Sequence, residues 1–459
     1  MACTGRIAAQ SIALGVAMPA AGDDGLPMNP DSWAVFRGKR TLLLQGPVGP
    51  FFRRLAQRLA SAGAEVHKVN FNGGDWLFYP SGAMPWRGSR EAWPDHFESL
   101  LERLSVDMVV MFGDCRPIHR PAREIALRRG VRVGVFEEGY VRPNFITFEP
   151  SGVNAHSRLP RSVDICRVLP DRPTPAERSV GYTFHYAALW ATLYYLAASV
   201  LYPWFRRYRH HRPLTLLEAW PWLLSGGRKL RYAIAERRIL GVLTGVLSRK
   251  YFLVPLQVPS DSQVLEHSGF VSVEGFIDQV VASFAAHAPH DTTLVIKHHP
   301  LDRGYHEYGR LIAQLGQQFG LGCRLLYIHD LHLPTLFEHM RGAVVINSTV
   351  GFSALTHWAP VKACGRALYD IPGLTFQGPL HDFWHGAADF RLDAGLFRRF
   401  RTYLINQTQL NASFYRGSLN APLCLSIGAT LGEVRVSPAD DLMEMARQTS
   451  AAGPASEAA

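Results

Sequence analysis

Val131-Arg132-Val133-Gly134-Val135-Phe136-Glu137-Glu138-Gly139-Tyr140 is an apolar run that ends on two carboxylates. A short run of this kind reads as a strand buried on both faces of a parallel sheet. The other half of the chain has a stretch of the same form and opposite chemistry. There Thr293-Leu294-Val295-Ile296 leads into Lys297-His298-His299-Pro300. Open α/β sheets bind ligands at the carboxyl ends of their strands. One half therefore offers carboxylates at such an end, and the other offers donors for an anion. That pairing suits an enzyme that moves a group off a phosphorylated carrier.

Working outward, strand and helix alternate. In the first half, strands are predicted at Thr41–Gln45, Glu65–Phe71, Val106–Phe112 and Val131–Phe136, with helices at Phe51–Ala62 and Pro121–Arg129. In the second half, strands are predicted at Tyr251–Leu256, Thr293–Lys297, Arg324–Ile328, Ala343–Asn347 and Val361–Cys364. Helices are predicted there at Val271–His287 and Tyr305–Phe319. This alternation predicts two Rossmann-like α/β domains with parallel sheets, at 36–180 and 246–412. Two such domains facing a cleft form the glycosyltransferase-B arrangement.

Residues 181–245 differ. No Asp, Glu, Lys or Arg occurs from Gly181 to Phe205, a segment with five Tyr and two Trp. Arg206, Arg207, Arg209, His210, His211 and Arg212 follow at once. Aromatic rings beside a basic cluster suit an anionic membrane surface. A buried helical hairpin between the domains is the other reading. A true span would separate two halves that share a cleft. Residues 1–35 lack a strand or helix period, and 413–459 are expected to form a helix and a disordered tail. Ile7–Ala20 mimics a signal peptide, but a single Arg precedes it and Gln10 and Ser11 interrupt it, so an extended start is expected. The absence of acylation and prenylation signals predicts unlipidated, peripheral membrane contact.

The chain has 459 residues, 47% hydrophobic and 19% charged, with a net charge of +10. A globular chain of this length holds two or three domains. A basic balance fits nucleic acid, an anionic membrane or phosphorylated substrates. No nucleic-acid motif is present, which leaves the last two. The six cysteines are scattered without zinc spacing, as expected of reduced thiols in the cytoplasm. No cofactor and no resident metal is expected.

The motifs fall at strand ends. Gln45-Gly46-Pro47-Val48-Gly49-Pro50 opens a helix, whose N-terminus suits an anion, or forms an ordinary turn. Asn72 and Asp75 in Asn70-Phe71-Asn72-Gly73-Gly74-Asp75-Trp76 suit a sugar or a plain turn. Asp114, Arg116 and His119 follow the third strand, where Asp114 either reaches the cleft or caps a helix. Glu137 and Glu138 sit at adjacent positions, so one carboxylate faces the substrate and the other points away. A carboxylate pair prepares a general acid or base. Arg142 and Asn144 suit a substrate carboxylate. Lys297, His298 and His299 supply donors for a phosphate. Ser348 and Thr349 in Asn347-Ser348-Thr349-Val350-Gly351 form a second phosphate cradle or a simple helix cap.

These strings, in order from about Arg40 to about Ala412, resemble the bacterial capsule polysaccharide biosynthesis/export family. Within it they resemble the members that transfer 3-deoxy-octulosonic acid (Kdo) to a phosphatidylglycerol-type lipid. The resemblance rests on Leu44–Pro50, Lys68–Tyr79, Phe112–His119, Phe136–Glu149, Lys297–Arg303 and Asn347–Leu355. It implies a donor activated by cytidine monophosphate (CMP-Kdo), a β-linked product formed with retention, and work at the cytoplasmic face of the inner membrane beside other capsule proteins. Such enzymes are similar to bacterial sialyltransferases in three motifs, here Glu137-Glu138-Gly139, His299-Pro300 and Ser348-Thr349. The resemblance makes the first catalytic and the other two holders of the nucleotide phosphate. A non-catalytic lipid- or polymer-binding subunit and a sialyltransferase or glycerophosphate polymerase remain as alternatives.

Overall fold

The computed structural model describes Trp33 and residues 36–159, 161–168, 173–174, 176–208, 219–259 and 269–417. The expectations for Ile7–Ala20, for Arg209–Arg212 and for the tail from 418 lie outside these residues. Trp33 is buried with Phe36 against the first helix, so the folded part already includes a residue ahead of the expected boundary.

The first half contains β1 (Arg40–Leu43), α1 (Phe51–Ser61), β2 (Glu65–Asn70), α2 (Gly73–Phe78), β3 (Ala83–Pro85), α3 (Trp93–Arg103), β4 (Met108–Phe112), α4 (His119–Arg128), β5 (Arg132–Glu138), β6 (Ile146–Pro150) and α5 (Val163–Val168). Then come α6 (Phe184–Val200), α7 (Ala219–Ala235) and α8 (Arg237–Thr244). The second half contains β7 (Tyr251–Pro255), α9 (Val273–His287), β8 (Thr293–Lys297), α10 (Gly309–Gln318), β9 (Leu325–Ile328), α11 (Leu333–His339) and β10 (Gly342–Val345). It continues through α12 (Thr349–Thr356), β11 (Val361–Ala363), α13 (Leu380–Gly386), α14 (Ala394–Thr408) and β12 (Gln409–Leu410).

Two sheets form. The second has the order β11-β10-β7-β8-β9 and is parallel throughout. The first has the order β12-β6-β5-β4-β1-β2-β3. Its β3-β2-β1-β4-β5 portion is parallel, but β6 runs antiparallel to β5, and β12, paired antiparallel with β6, points the same way as β5. This corrects the expectation of a purely parallel sheet. After Glu138 the chain turns through Gly139–Phe145 and pairs back on itself, so β5 continues through both glutamates. Both sheets are covered on two faces, which is why β5, β7 and β8 read as unbroken apolar runs. Phe51, Phe136, Phe148 and Phe414 fill one face of the first sheet, and Leu42, Val109, Val135 and Trp93 fill the other.

The domain boundaries also differ from the expected ones. Gln409 and Leu410 pair with β6, and Phe414 packs on Phe51 at 4.9 Å between ring centroids. The end of the second half therefore returns to the first sheet. In exchange, Tyr140, Val141 and Phe145 from the β5–β6 turn join the apolar cluster of the second domain.

Candidate active site

Glu137 and Glu138 are both half-buried and project from opposite faces of β5, as strand alternation requires. Glu137 Oε2 and Arg116 Nε both lie within 3.6 Å of the position that a Cβ on Gly113 would take. Glu138 accepts a hydrogen bond from Tyr415 Oη at 2.9 Å, so the returning C-terminal segment holds it. The glycine of the motif has a steric cause. A Cβ on Gly139 would overlap the carbonyl of Phe145 across the hairpin.

A carboxylate strongly displaced in acidity is one that the sequence reading passed over. Glu149 on β6 is 2% exposed, and burial pushes its pKa up to about 7, against hydrogen bonds from Ser157 and Tyr140. Tyr140 Oη donates to Glu149 Oε1 at 2.8 Å, and Ser157 Oγ donates to Oε2. The nearby charge of Asp114 adds to the rise. Residues 137 and 149 share one face of the antiparallel pair, because Glu137 sits opposite Thr147 and Val135 opposite Glu149. No local motif marks Glu149. Its burial comes from β6, the strand not foreseen.

Asp114, expected at the cleft or on a cap, is buried. It accepts from the Val153 amide at 3.2 Å, meets His156 Nδ1 at 2.9 Å and lies 3.8 Å from Arg123 Nε. Asp114, Cys115 and His156 bring their side-chain ligand atoms within 4.8 Å of one another. Such a set matches no zinc spacing in the sequence because His156 comes from beyond β6. Asp114 binds both His156 and the Cys115 thiol, the latter at 3.4 Å.

The residues expected to meet an acceptor have varied surroundings. Gln45, Asn72 and Asp75 are buried in one network. Gln45 Nε2 donates to Asp75 Oδ2 at 3.1 Å and to Tyr208 Oη at 2.9 Å. Tyr194 Oη donates to Asp75 Oδ1 at 3.0 Å, and Asn72 Nδ2 donates to Tyr194 Oη at 2.7 Å. Asn72 also caps α2 by accepting from the Asp75 amide. Gly73 and Gly74 leave room for α6, because a Cβ on either would enter Ala197, Leu201 or the Tyr194 ring. This network docks the aromatic helix and occupies the polar atoms of Gln45, Asn72 and Asp75, of which Asp75 also lines a small pocket beside Gly46 and Lys68. Arg116 is half-buried, stacks over Phe112 and donates to Gln45 Oε1 at 3.1 Å and to the Gly46 carbonyl at 3.3 Å. Arg142 is exposed, with its Nε on the Gly139 carbonyl at 3.2 Å. Asn144 ties residues 177–180 to the hairpin through Glu177 and the Val180 amide.

His119 is fully buried and bridges two strand ends. The Gln45 amide donates to its Nε2 at 3.2 Å, so Nδ1 carries the proton and donates to the Gly113 carbonyl at 2.7 Å. Burial and the Arg116 charge lower its pKa to about 3. Lys68 is likewise buried, and desolvation lowers its pKa to about 8.

At the second edge, Lys297 and His298 turn inward. Lys297 Nζ donates to the His329 carbonyl at 2.7 Å, and burial lowers its pKa to about 8. His298 Nδ1 bonds Tyr327 Oη at 2.7 Å, and burial lowers its pKa to about 4. His329 stacks on Tyr232 of α7, with ring centroids 3.6 Å apart, and its Nδ1 meets Glu236 Oε1 at 2.7 Å. His299, Ser348 and Thr349 are half-buried. Ser348 caps α12 by accepting from the Val350 amide at 3.2 Å. Gln257, just past β7, donates to Asn347, just past the neighbouring β10, at 3.1 Å.

Helix α6 packs one side on α2, burying Tyr194 and Ala198. Its other side exposes Phe184, Tyr186, Leu189, Leu196 and Val200, and the 3-10 turn beyond it exposes Tyr202 and Trp204. Lys229 of α7 lies over the Phe184 ring, and Leu230 and Ile234 of α7 are exposed as well. Among the described residues, no helix is long and apolar enough to cross a membrane.

Fold and site define a two-domain protein of Rossmann-like halves, with carboxylates at one sheet's carboxyl edge and imidazole and hydroxyl groups at the other's. The chain belongs to the capsule polysaccharide biosynthesis family, whose description, Capsule polysaccharide biosynthesis protein, matches residues 107–415. It is 44% identical over 380 residues to the Escherichia coli capsule polysaccharide export protein KpsS, covering 82% of this chain and 97% of that protein. It is 42% identical over 383 residues to the capsule polysaccharide modification protein LipB of Neisseria meningitidis serogroup A, covering 82% and 91%. A solved structure of Thermosulfurimonas dismutans KpsC, titled beta Kdo 2,7 transferase, aligns over 85% of this chain and 99% of that one. Its TM-score is 0.38 and its identity 14%.

Proposed function

We propose that the protein is a retaining glycosyltransferase that adds β-linked Kdo from CMP-Kdo to a phosphatidylglycerol-type lipid, with one or two acyl chains. It does so as a peripheral protein on the cytoplasmic side of the inner membrane, starting the lipid-linked end of a capsular polysaccharide. The observation that carries this reading is the Glu137-Glu138-Gly139 hairpin strand in a chain of this family. A subunit that only held anions would gain nothing from two carboxylates there. In this mechanism the acceptor hydroxyl gives its proton to a carboxylate of the pair and forms the new C–O bond. The bond between the sugar and the CMP phosphate breaks, and the phosphate leaves with the electron pair. His299, the Ser348 and Thr349 hydroxyls and the amides opening α12 receive the growing phosphate charge. Arg116 beside Glu137 is the candidate partner for a substrate carboxylate.

The exposed aromatic and arginine-rich face equally suits a lipid-binding subunit without chemistry, and the names of the relatives, an export and a modification protein, span both ideas. Purified protein, CMP-Kdo and a fluorescent lysophosphatidylglycerol, read by mass, decide the matter. A product heavier by one Kdo is expected. No product, with CMP-sialic acid also inactive, leaves the binding subunit.

A further inference from the structure

The edge of the first sheet carries a second opening. A cleft of about 380 Å³ lies at the carboxyl ends of β2 and β3, bounded by Asn70, Trp76, Ala83, Arg87, Leu201 and Trp204 among others. Its walls are mostly apolar, yet Asn70 is 1% exposed and its Oδ1 has no hydrogen-bond partner, while its Nδ2 donates to the Tyr79 carbonyl. Arg87 is exposed in the wall, and exposed Arg206 and Arg207 follow directly on Phe205, which also lines the cleft. Trp76 and Trp204 are 44% and 57% exposed. Leu201 joins the cleft to the apolar face of α6, which exposes Leu196 and Val200 just before it.

We infer that this cleft holds the acyl chain of an anionic glycerophospholipid, with the headgroup phosphate on Arg87 and Arg206. The apolar walls remove methylenes from water, and a guanidinium fork matches a phosphate. An uncharged chain has no use for Arg87 in the wall or for Arg206 next to Phe205, and a free phosphate has no use for two tryptophans. The cleft stands three strand positions from Glu137, since β1 and β4 separate β2 from β5. At sheet spacing that is about 14 Å. A lipid seated here lays its headgroup along the strand ends toward the acidic pair. In linking the cleft to transfer, the inference rests on the lipid-acceptor reading above.

Calorimetric titration of the full chain with lysophosphatidylglycerol, below its micelle concentration, tests it. Saturable binding is expected, and chain-free glycerophosphoglycerol and uncharged monoacylglycerol should each bind more weakly. Ala83→Trp fills the cleft and Trp204→Ser opens its wall. Each should weaken lysophosphatidylglycerol by about tenfold or more, because two buried methylenes already account for that much. Variants that keep their far-ultraviolet spectra and bind like the parent overturn the cleft. Binding lost in both variants, in a protein that transfers no Kdo, keeps the cleft and removes the transfer reading. Transfer to a lipid acceptor with KM unchanged in both variants does the reverse.

Discussion

The carboxyl edges of the two sheets are built alike and used differently. At the first edge Gln45, Asn72 and Asp75 are spent on Tyr194 and Tyr208, which fastens α6. At the second, His329 stacks on Tyr232 of α7, and Glu236 after that helix accepts from the His329 and Asp330 amides. In each half, strand-end polar groups anchor a helix of the central insert. What remains half-buried is Glu137 and Glu138 in one half, and His299, Ser348 and Thr349 in the other. Burial moves the hidden groups of both edges toward their neutral forms, acid upward at Glu149 and bases downward at Lys297 and His298. A polar motif at a strand end is therefore as readily a docking device as a ligand site.

The sharpest test of this contrast is to neutralise the glutamates one at a time. Glu137→Gln or Glu138→Gln should lower Kdo transfer by ~10²–10⁴-fold at unchanged melting temperature. Because the two face opposite sides of β5, one is expected to fall much further than the other. Equal, near-parental rates in both would move the chemistry away from this strand.

The two edges should also oppose each other in pH. The folded-state pKa of Glu149 is raised to about 7 from 4.5, so its contribution is fully present below about pH 4.5 and is lost as the pH rises to 7. The pKa of His298 is lowered to about 4 from 6.5, so its contribution is present above 6.5 and is lost as the pH falls to 4. Glu149→Gln should steepen the rise in stability from pH 4.5 to 7 by on the order of 3 kcal/mol relative to the parent. Denaturant midpoints across that range measure it, and a parallel pair of profiles would refute the burial of an acid there.

Asp75→Ala leaves the Gln45, Tyr194 and Phe71 donors without their acceptor, so it should cost about 3 kcal/mol of stability. If Asp75 instead binds sugar, stability will hold and KM will rise. On the other edge, His299→Ala and Ser348→Ala should each weaken CMP binding by about 1.5–3 kcal/mol in a calorimeter, with no loss of fold. The smallest effect is expected at the insert. Arg206→Gln and Arg207→Gln should each reduce binding to phosphatidylglycerol vesicles by about 1 kcal/mol. Salt should imitate them, and equal binding to neutral vesicles would return α6 to a purely internal role.

Much of this was legible in the chain. The buried runs ending at Phe136 and Ile296 announce two α/β halves, because strands covered on both faces carry no polar alternation. The opposite orientations of Glu137 and Glu138 follow from strand period alone. The sequence left Asn72 and Asp75 open between a sugar site and a turn, because Asn, Gly and Asp at a strand end look the same in either and in a helix dock. Their partners Tyr194 and Tyr208 lie more than a hundred residues away, in the very segment read as membrane-facing. That segment reads as apolar all round, and only packing decided which side meets α2.

By itself the sequence determined the two α/β halves, the strand-end placement of the acidic and His/Lys motifs and the chemistry they offer. These depend on local periodicity and residue type, which a chain carries wherever it goes. Tertiary structure alone decided that β6 runs antiparallel to the rest of the first sheet, that Gln409 returns to that sheet, that Glu149 is buried to a pKa of about 7, and that Lys297 and His298 turn inward while His299 stays half-buried. Each of these depends on which distant segment excludes water from a given side chain, and desolvation belongs to the folded surroundings rather than to the residue.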